Sequence, residues 1–226
     1  MQASSPVQVV IAADGRRLEG ELIVPGDASG VVAFAHGSGS SRRSPRNQFV
    51  ARELQQAGLA TLLLDLLEEE EGEDRHKVFD IELLALRLLA AARWLGDNPS
   101  TRSCALGYFG ASTGAAAALV AAAREPGRVS AIVSRGGRPD LAMRWLAQVK
   151  APTLLIVGEN DQPVLQWNRD ALEHLGVEKE LVVVPRATHL FEEPGTLEEA
   201  ARHACRWFAR HLAPAGARAG AGAKTQ

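Results

Sequence analysis

The chain has few cysteines, no strong excess of charge and no long apolar run. Its two cysteines, Cys104 and Cys205, are too few for a disulfide framework and lack metal-ligand spacing. A formal net charge of −2 leaves no basic excess for binding nucleic acid phosphates. No stretch approaches the roughly 20 apolar residues that cross a bilayer, and residues 1–7 lack the pattern of a secretory signal. These absences predict a cytoplasmic protein that binds neither nucleic acid nor membrane.

What the chain does have is an alternation of apolar runs and helical patterns. Its 226 residues are 46% hydrophobic, enough for a substantial core in one domain. Strands are predicted at residues 7–11, 18–24, 31–35, 59–64, 104–109, 129–133, 153–157 and 181–184. Helices are predicted from 44 to 57, then at 78–95, 115–123, 140–149, 164–175 and 196–212. The pattern predicts one α/β domain over 1–212, with a mostly parallel sheet covered by helices on both faces and a disordered tail over 213–226.

The most informative motif is Gly110-Ala-Ser112-Thr-Gly114. It follows a predicted strand and precedes an alanine-rich predicted helix, so it predicts a very tight strand-to-helix turn. Small residues flank the serine because such a turn leaves no room for larger ones. A nucleophile elbow of this kind presents a serine hydroxyl above a sheet, next to a helix N-terminus. We therefore predict Ser112 as a nucleophile.

Two further residues complete a serine, aspartate, histidine order along the chain. Asp161 follows the predicted strand at 153–157, and His189 follows the strand at 181–184. In parallel sheets, ligand chemistry gathers at the carboxyl ends of the strands. Serine needs a histidine to take its proton, and a carboxylate to orient that histidine. The sequence predicts Ser112, Asp161 and His189 as a catalytic triad.

The acid of this triad has alternatives in the sequence. Asp161 could instead cap the helix that follows it, as aspartate often does. Other carboxylates near strand ends are Asp65, Asp140 and Glu159. The remaining histidines, apart from His36, fall in charged helical or flanking segments, which makes His189 the best base.

The loop after the third predicted strand reads His36-Gly37-Ser38-Gly39. Its glycines let the backbone approach a substrate, so we predict an oxyanion hole formed by the backbone N–H groups of Ser38 and Thr113. His36 either braces this loop through hydrogen bonds or contacts substrate. A phosphate-binding loop is a weak alternative, because the chain lacks the third glycine of the dinucleotide motif and the lysine of a P-loop.

Three arginines border the predicted site and could hold a substrate carboxylate or phosphate. Arg43 lies in the loop after the third strand, and Arg135 and Arg138 follow the sixth. Arg135 is favoured because Gly136 and Gly137 leave space around it. Ion pairing within the protein, or simple solvation, is the alternative for all three.

Together these motifs, with the loop Gly158-x-x-Asp161 and the pair Thr188-His189, resemble those of the α/β-hydrolase superfamily, and most closely its dienelactone hydrolase-like branch. The resemblance covers residues 7–212. Gly107 to Gly114 and Ser134 to Asp140 also resemble a bacterial hydrolase group sometimes fused to a phosphoribosyltransferase domain, of which this chain would be the hydrolase part. Dienelactone hydrolases proper use a cysteine nucleophile, so Ser112 favours a serine esterase.

The expected function is ester or lactone hydrolysis on a small soluble substrate, possibly an anionic one, by a monomer or homodimer without metal or organic cofactor. The short connection between residues 133 and 153 implies an active site without a large cap domain. The alternatives are a thioesterase or peptidase with the same triad, or a binding module on the same fold that has no activity.

Overall fold

Eight strands form one sheet through the middle of the protein. The computed structural model describes residues 5–26 and 28–213. The strands are β1 (Val7–Ala13), β2 (Arg16–Ile23), β3 (Gly30–Ala35), β4 (Ala60–Leu64), β5 (Ala105–Ala111), β6 (Ala131–Arg135), β7 (Thr153–Gly158) and β8 (Lys179–Val184). Their spatial order is β1-β2-β4-β3-β5-β6-β7-β8. Pairs β1–β2 and β2–β4 are antiparallel and all others parallel, so every strand except β2 ends at one edge, where ligand chemistry gathers in such sheets.

Helices cover both faces of this sheet. Within the described residues they are α1 (Pro45–Gln56), α2 (Glu69–Gly72), α3 (Arg75–Val78), α4 (Ile81–Asp97), α5 (Thr113–Arg124), α6 (Gln162–His174) and α7 (Thr196–Leu212). A 3-10 segment, Pro139–Gln148, fills the connection between β6 and β7 in place of a cap domain. No helix of the described part is long and apolar enough to span a membrane.

The two faces of the sheet have separate cores. Tyr108 packs in the cluster that contains residues of α4 and α5, whereas Phe109 packs in the cluster that contains residues of α1 and α7. Adjacent strand residues point to opposite faces, which explains why both are buried. The side chains of Ala115 to Ala123 are buried too, since α5 lies between the sheet and its neighbouring helices. The predicted α/β-hydrolase fold is confirmed.

Local structure departs from the sequence prediction in several places, of which three bear on the site or its surroundings. The helix predicted from residue 78 is interrupted, because Asp80 Oδ1 accepts the Leu83 N–H at 3.0 Å and starts α4 at Ile81. The helix predicted at 140–149 is of the 3-10 type. Strand β6 continues to Arg135, two residues beyond its predicted end. Most of the predicted disordered tail, residues 214–226, lies outside the described residues.

A buried ion pair anchors the segment between β4 and α4. Two nitrogens of Arg87 donate to the Glu71 carboxylate at 2.6 and 3.0 Å, and Arg87 also donates to the Leu66 carbonyl at 2.9 Å. Both side chains are at least 95% buried. The Arg87 guanidinium lowers the pKa of Glu71 to about 2. This pair fixes a segment that forms one wall of a cleft of about 630 Å³, which lies beside the candidate site.

Candidate active site

The elbow holds Ser112 in a backbone conformation that side chains rarely adopt. Its φ and ψ are 51° and −122°, between the last residue of β5 and the first of α5. Such a conformation costs roughly 1–3 kcal/mol, which the surrounding packing must offset. A Cβ at Gly110 would lie 2.4 Å from the Ala115 Cα, and one at Gly114 would lie 2.1 Å from the Ala35 carbonyl oxygen. Gly110 and Gly114 are therefore required, because any side chain at either position would clash with the neighbouring backbone.

Asp161 and His189 lie in direct contact. His189 Nδ1 is 2.6 Å from Asp161 Oδ2, although 28 residues separate them. Their loops meet because Gly158 lies against the backbone of Ala187; a Cβ at Gly158 would be 2.3 Å from the Ala187 carbonyl oxygen. The other imidazole nitrogen, His189 Nε2, makes no hydrogen bond within residues 5–26 and 28–213. An imidazole oriented this way can accept a proton at Nε2.

The four carboxylates considered as the acid of the triad differ in their hydrogen-bond partners. Asp161 occupies the N-cap position of α6, but its side chain makes no capping hydrogen bond. Each of the other three carboxylates contacts a group away from His189. Their partners are the Arg186 N–H for Glu159, the Arg138 side chain for Asp140 and both the backbone N–H and side chain of Arg42 for Asp65.

The loop after β6 lies against both Ser112 and His189. The Ser112 N–H donates to the Arg135 carbonyl at 3.3 Å. The next residue, Gly136, has a φ of 53°, and a Cβ there would be 3.5 Å from His189 Nδ1. The structure thus places the predicted nucleophile and the predicted base on either side of one short turn.

The two residues predicted for the oxyanion hole are neighbours, but they bind each other. The Ser38 N–H donates to Thr113 Oγ1 at 2.9 Å. Thr113 is the first residue of α5, where backbone N–H groups have no acceptor within the helix. A Cβ at Gly37 would be 2.9 Å from the Ser112 Cβ, so this loop lies directly on the nucleophile. The oxyanion hole stays a prediction, and it requires the Ser38 N–H to leave the Thr113 hydroxyl.

Both ring nitrogens of His36 are used within the protein. His36 Nε2 accepts the Leu66 N–H at 3.1 Å, so Nδ1 carries the proton and donates it to the Gly37 carbonyl at 3.0 Å. Burial lowers the pKa of His36 and favours this neutral form. Of the two roles considered from the sequence, the structure supports bracing of the loop, and substrate contact through the ring nitrogens is not available.

Of the predicted arginines, Arg138 forms an ion pair within the protein, and Arg135 is buried. Arg138 binds Asp140 through two hydrogen bonds of 2.8 and 2.7 Å and lies 4.2 Å from the centre of the Trp167 ring. Arg135 is 93% buried, with its guanidinium about 5.8 Å from the ring centre of Phe191. Arg138 is thus paired within the protein and Arg135 is buried in this structure, and their binding of a substrate anion stays a prediction.

Arg135 has no acidic partner. Its Nη2 lies 3.4 Å from the Asn47 side-chain oxygen, and its Nε and Nη1 have no acceptor among the described residues. Burial, with a smaller effect from the nearby charge of Arg46, lowers the pKa of Arg135 to about 10. A buried guanidinium without a counter-ion is costly.

Arg43 is the most exposed of the three predicted arginines. Its side chain is exposed and makes no hydrogen bond or ion pair within the described residues. It lines a cleft of about 630 Å³ that reaches the elbow at Thr113, while Ser112 and His189 do not line this cleft.

A family model for the dienelactone hydrolase family matches residues 22–213. The chain belongs to the dienelactone hydrolase family. A crystal structure of a dienelactone hydrolase from Anabaena variabilis is 56% identical, with a TM-score of 0.91, and the match covers 93% of this chain and 100% of that one. Family and fold together make the protein an α/β hydrolase.

More distant structures share this fold of the dienelactone hydrolase family. An esterase of Pyrococcus furiosus is 22% identical with a TM-score of 0.79, covering 92% of this chain and 94% of its own. Est1E from Butyrivibrio proteoclasticus is 15% identical with a TM-score of 0.75, covering 89% of this chain and 99% of its own. At these identities the likeness shows the fold alone.

Curated relatives come from two strains of Mycobacterium tuberculosis, where each is named "Putative phosphoribosyl transferase". They are 57% identical over 205 residues, which is 91% of this chain and 46% of theirs. This member of the dienelactone hydrolase family therefore spans about half the length of the curated relatives it matches, and the transferase name describes those longer proteins.

Sequence reasoning missed three contacts in the site of this family member. These are the Thr113 hydroxyl on the Ser38 N–H, the Phe191 ring over Arg135, and Asn168, whose buried amide donates to the Gly137 carbonyl at 2.9 Å. Asn168 holds the turn that lies against His189. Each contact joins segments far apart in the chain, so no local pattern could have indicated it.

Proposed function

We propose that this protein is a serine hydrolase that cleaves a carboxylic ester or lactone of a small substrate through an acyl-enzyme on Ser112. The observation that carries the proposal is the 2.6 Å contact between His189 Nδ1 and Asp161 Oδ2, beside a serine in a strained elbow. Membership of the dienelactone hydrolase family and the dienelactone hydrolase of Anabaena variabilis support lactone or ester cleavage.

In the first half of the reaction, Ser112 Oγ attacks the substrate carbonyl carbon while His189 Nε2 takes the hydroxyl proton. Asp161 stabilises the resulting imidazolium and keeps the ring in place. The tetrahedral intermediate then collapses, and the bond from carbon to the leaving oxygen breaks. His189 gives its proton to that oxygen, which leaves as an alcohol, or stays attached as a hydroxyl when the substrate is a lactone.

In the second half, water attacks the acyl-enzyme and gives its proton to His189. Collapse of the second tetrahedral intermediate releases the carboxylic acid, and Ser112 recovers its proton from His189. The negative charge on the carbonyl oxygen in both halves would be held by the backbone N–H groups of Thr113 and Ser38. Thr113 begins a 12-residue helix whose N-terminus favours such a charge, and each donor is worth about 3 kcal/mol.

The test of this proposal is covalent labelling with a small fluorophosphonate, read by intact mass and peptide mapping. We expect one adduct, on Ser112, and none in Ser112→Ala. Ser100→Ala is the matched control, since Ser100 is an exposed serine in the turn before β5, at the opposite end of that strand. Failure to label folded protein, or labelling that persists in Ser112→Ala, would contradict the assignment.

Turnover of model substrates then identifies the type of bond that the protein cleaves. Matched acetyl ester, thioester and amide substrates separate an esterase from a thioesterase or peptidase, and we expect the ester to be cleaved with the highest kcat/KM. His189→Ala should lose nearly all of this turnover while keeping the fold by circular dichroism. Binding of small acyl compounds without turnover of any substrate would instead indicate a binding module.

A further inference from the structure

A polar cleft of about 630 Å³ adjoins the elbow on the side of the loop that follows β3. Its walls are residues 36–43, the first half of β2 and parts of the segment 65–78. Small-molecule sites usually enclose roughly 300–1,000 Å³, so the cleft has room for one small ligand. Of its lining residues, the proposed chemistry at Ser112 uses Ser38 and Thr113 and none of the charged side chains.

Most of the carboxylates in this cleft are neutralised by neighbouring cations. Arg42 binds both Asp65 and Glu19, the latter at 2.5 Å, and the Arg42 N–H adds a second contact to Asp65. Glu68 binds the Arg16 side chain at 3.1 Å. These ion pairs hold the walls together and leave their acidic members unavailable for a ligand.

The side chains that remain are mainly hydrogen-bond donors. Arg17 and Arg43 both line the cleft, and neither guanidinium makes a hydrogen bond or ion pair within the described residues. The hydroxyls of Ser38 and Ser40 have no partner there either, and Glu69 is the one carboxylate of the described lining without a bond. Among the described residues, the cleft thus offers two free cations, two free hydroxyls and one free carboxylate.

The cleft lies next to the nucleophile, although Ser112 itself does not line it. Thr113, which follows Ser112 in the chain, is part of its lining, as is Gly37, where a Cβ would lie 2.9 Å from the Ser112 Cβ. A substrate whose carbonyl is at Ser112 would reach the cleft by passing the loop that carries Ser38.

We propose that the cleft binds one half of the substrate, and that this half carries hydroxyl groups and an anionic group, which Arg43 and Arg17 hold. A carboxylate or a phosphate can accept two parallel N–H donors from one guanidinium, which gives strong and directional binding. The serine hydroxyls and Glu69 then bind the hydroxyl groups. This inference rests on the proposed role of Ser112 and names the substrate class of that site.

Binding is measured first, in the Ser112→Ala protein, so that turnover plays no part. The probes in isothermal titration are gluconate, glucose 6-phosphate and neutral glucose. We expect one or both anions to bind more tightly than glucose, and Arg43→Gln or Arg17→Gln to weaken that anion about 10-fold or more, the value of a charge-assisted hydrogen bond. Arg52→Gln is the matched control, because Arg52 is an exposed arginine on α1 outside the cleft lining.

Turnover by the active protein gives the second measurement. Monoacetyl gluconate is compared with monoacetyl glucose for an anion in the alcohol half, and the mono-p-nitrophenyl ester of glutarate with p-nitrophenyl pentanoate for an anion in the acyl half. In one of these pairs we expect Arg43→Gln and Arg17→Gln to reduce kcat/KM at least 10-fold more for the anionic ester than for its neutral counterpart. The pair of esters whose kcat/KM values respond to the arginine variants shows which half of the substrate the cleft holds.

Each result bears on a different proposal. Anions that bind no better than glucose, or arginine variants that change nothing beyond Arg52→Gln, overturn the cleft assignment while the hydrolase remains. Absence of labelling and of all turnover, with anion binding still dependent on Arg43, overturns the chemistry at Ser112 and keeps the cleft as a binding site. If gluconate binds and glucose 6-phosphate does not, the anionic group is a carboxylate, and the reverse result identifies a phosphate.

Discussion

Replacing Arg135 by methionine should make the protein more stable. The guanidinium is 93% buried, has no carboxylate partner and makes a single hydrogen bond, of 3.4 Å, to Asn47. A pKa lowered from its usual value to about 10 corresponds to about 3 kcal/mol of unfavourable free energy for the charged folded protein. Two aromatic rings, with centres 5.8 and 5.9 Å from the guanidinium, offset part of this cost.

Methionine keeps an unbranched side chain of similar length and removes the charge. We therefore expect Arg135→Met to raise the free energy of unfolding by about 1–3 kcal/mol, because replacing buried charges by apolar groups often stabilises by that amount. For a chain of this size the melting temperature should rise by about 2–12 °C. The assays are urea denaturation at pH 7 and calorimetry, with Arg52→Met on the exposed face of α1 as control.

The pH dependence gives the same argument a second test. Because the folded-state pKa of Arg135 lies below the unfolded-state value, the unfolded chain binds more protons between pH 10 and 12.5. The penalty is fully present below about pH 10 and is relieved as the pH rises through that interval, so the gap between wild type and Arg135→Met should narrow there. A variant less stable than wild type at pH 7 would refute the reasoning, since it would mean that the buried guanidinium contributes more than it costs.

Three further predictions concern the elbow, the acid and the buried ion pair. Asp161→Asn should lower kcat by about 10³–10⁴-fold with little change in stability, because His189 would be held in the wrong tautomer, as steady-state kinetics would show. Gly114→Ala should abolish the fold or the activity, since its Cβ would lie 2.1 Å from a carbonyl of β3, and soluble yield and labelling report this. Glu71→Gln should cost about 3 kcal/mol at pH 7 in urea denaturation, as it leaves Arg87 buried without its partner. Because the folded-state pKa of Glu71 is about 2, wild type should lose the same stability as the pH falls from 4.5 toward 2, and the variant should not.

The sequence was a good guide to the main chain. Eight apolar runs gave all eight strands, because each strand buries one or both faces in a core and must be apolar to do so. The break at Asp80 was missed, since the helical pattern continues through it and a capping hydrogen bond ends one helix and starts the next.

The residues of the candidate site also differ in whether the sequence could predict them. Ser112 could be predicted because the elbow is a local turn whose glycines and strand-to-helix context lie in adjacent residues. Asp161 and His189 could be predicted because parallel strands bring the loops after them to one edge of the sheet, and the structure places their side chains 2.6 Å apart. Local sequence and topology together indicated where these three residues lie, and their catalytic role stays a prediction.

The arginines and His36 show what only the tertiary structure decided. Nothing near Arg135 in the chain indicates that Phe191 covers it, and nothing near His36 indicates that the Leu66 N–H binds its ring. Arg17 was not predicted, because nothing in the sequence indicates that β2 lies next to β4 and that Arg17 lines the cleft. The sequence by itself determined which loops carry the predicted catalytic residues. Burial and hydrogen-bond partners depend on residues distant in the chain, so only the folded protein decided which charged side chains remain free to meet a ligand.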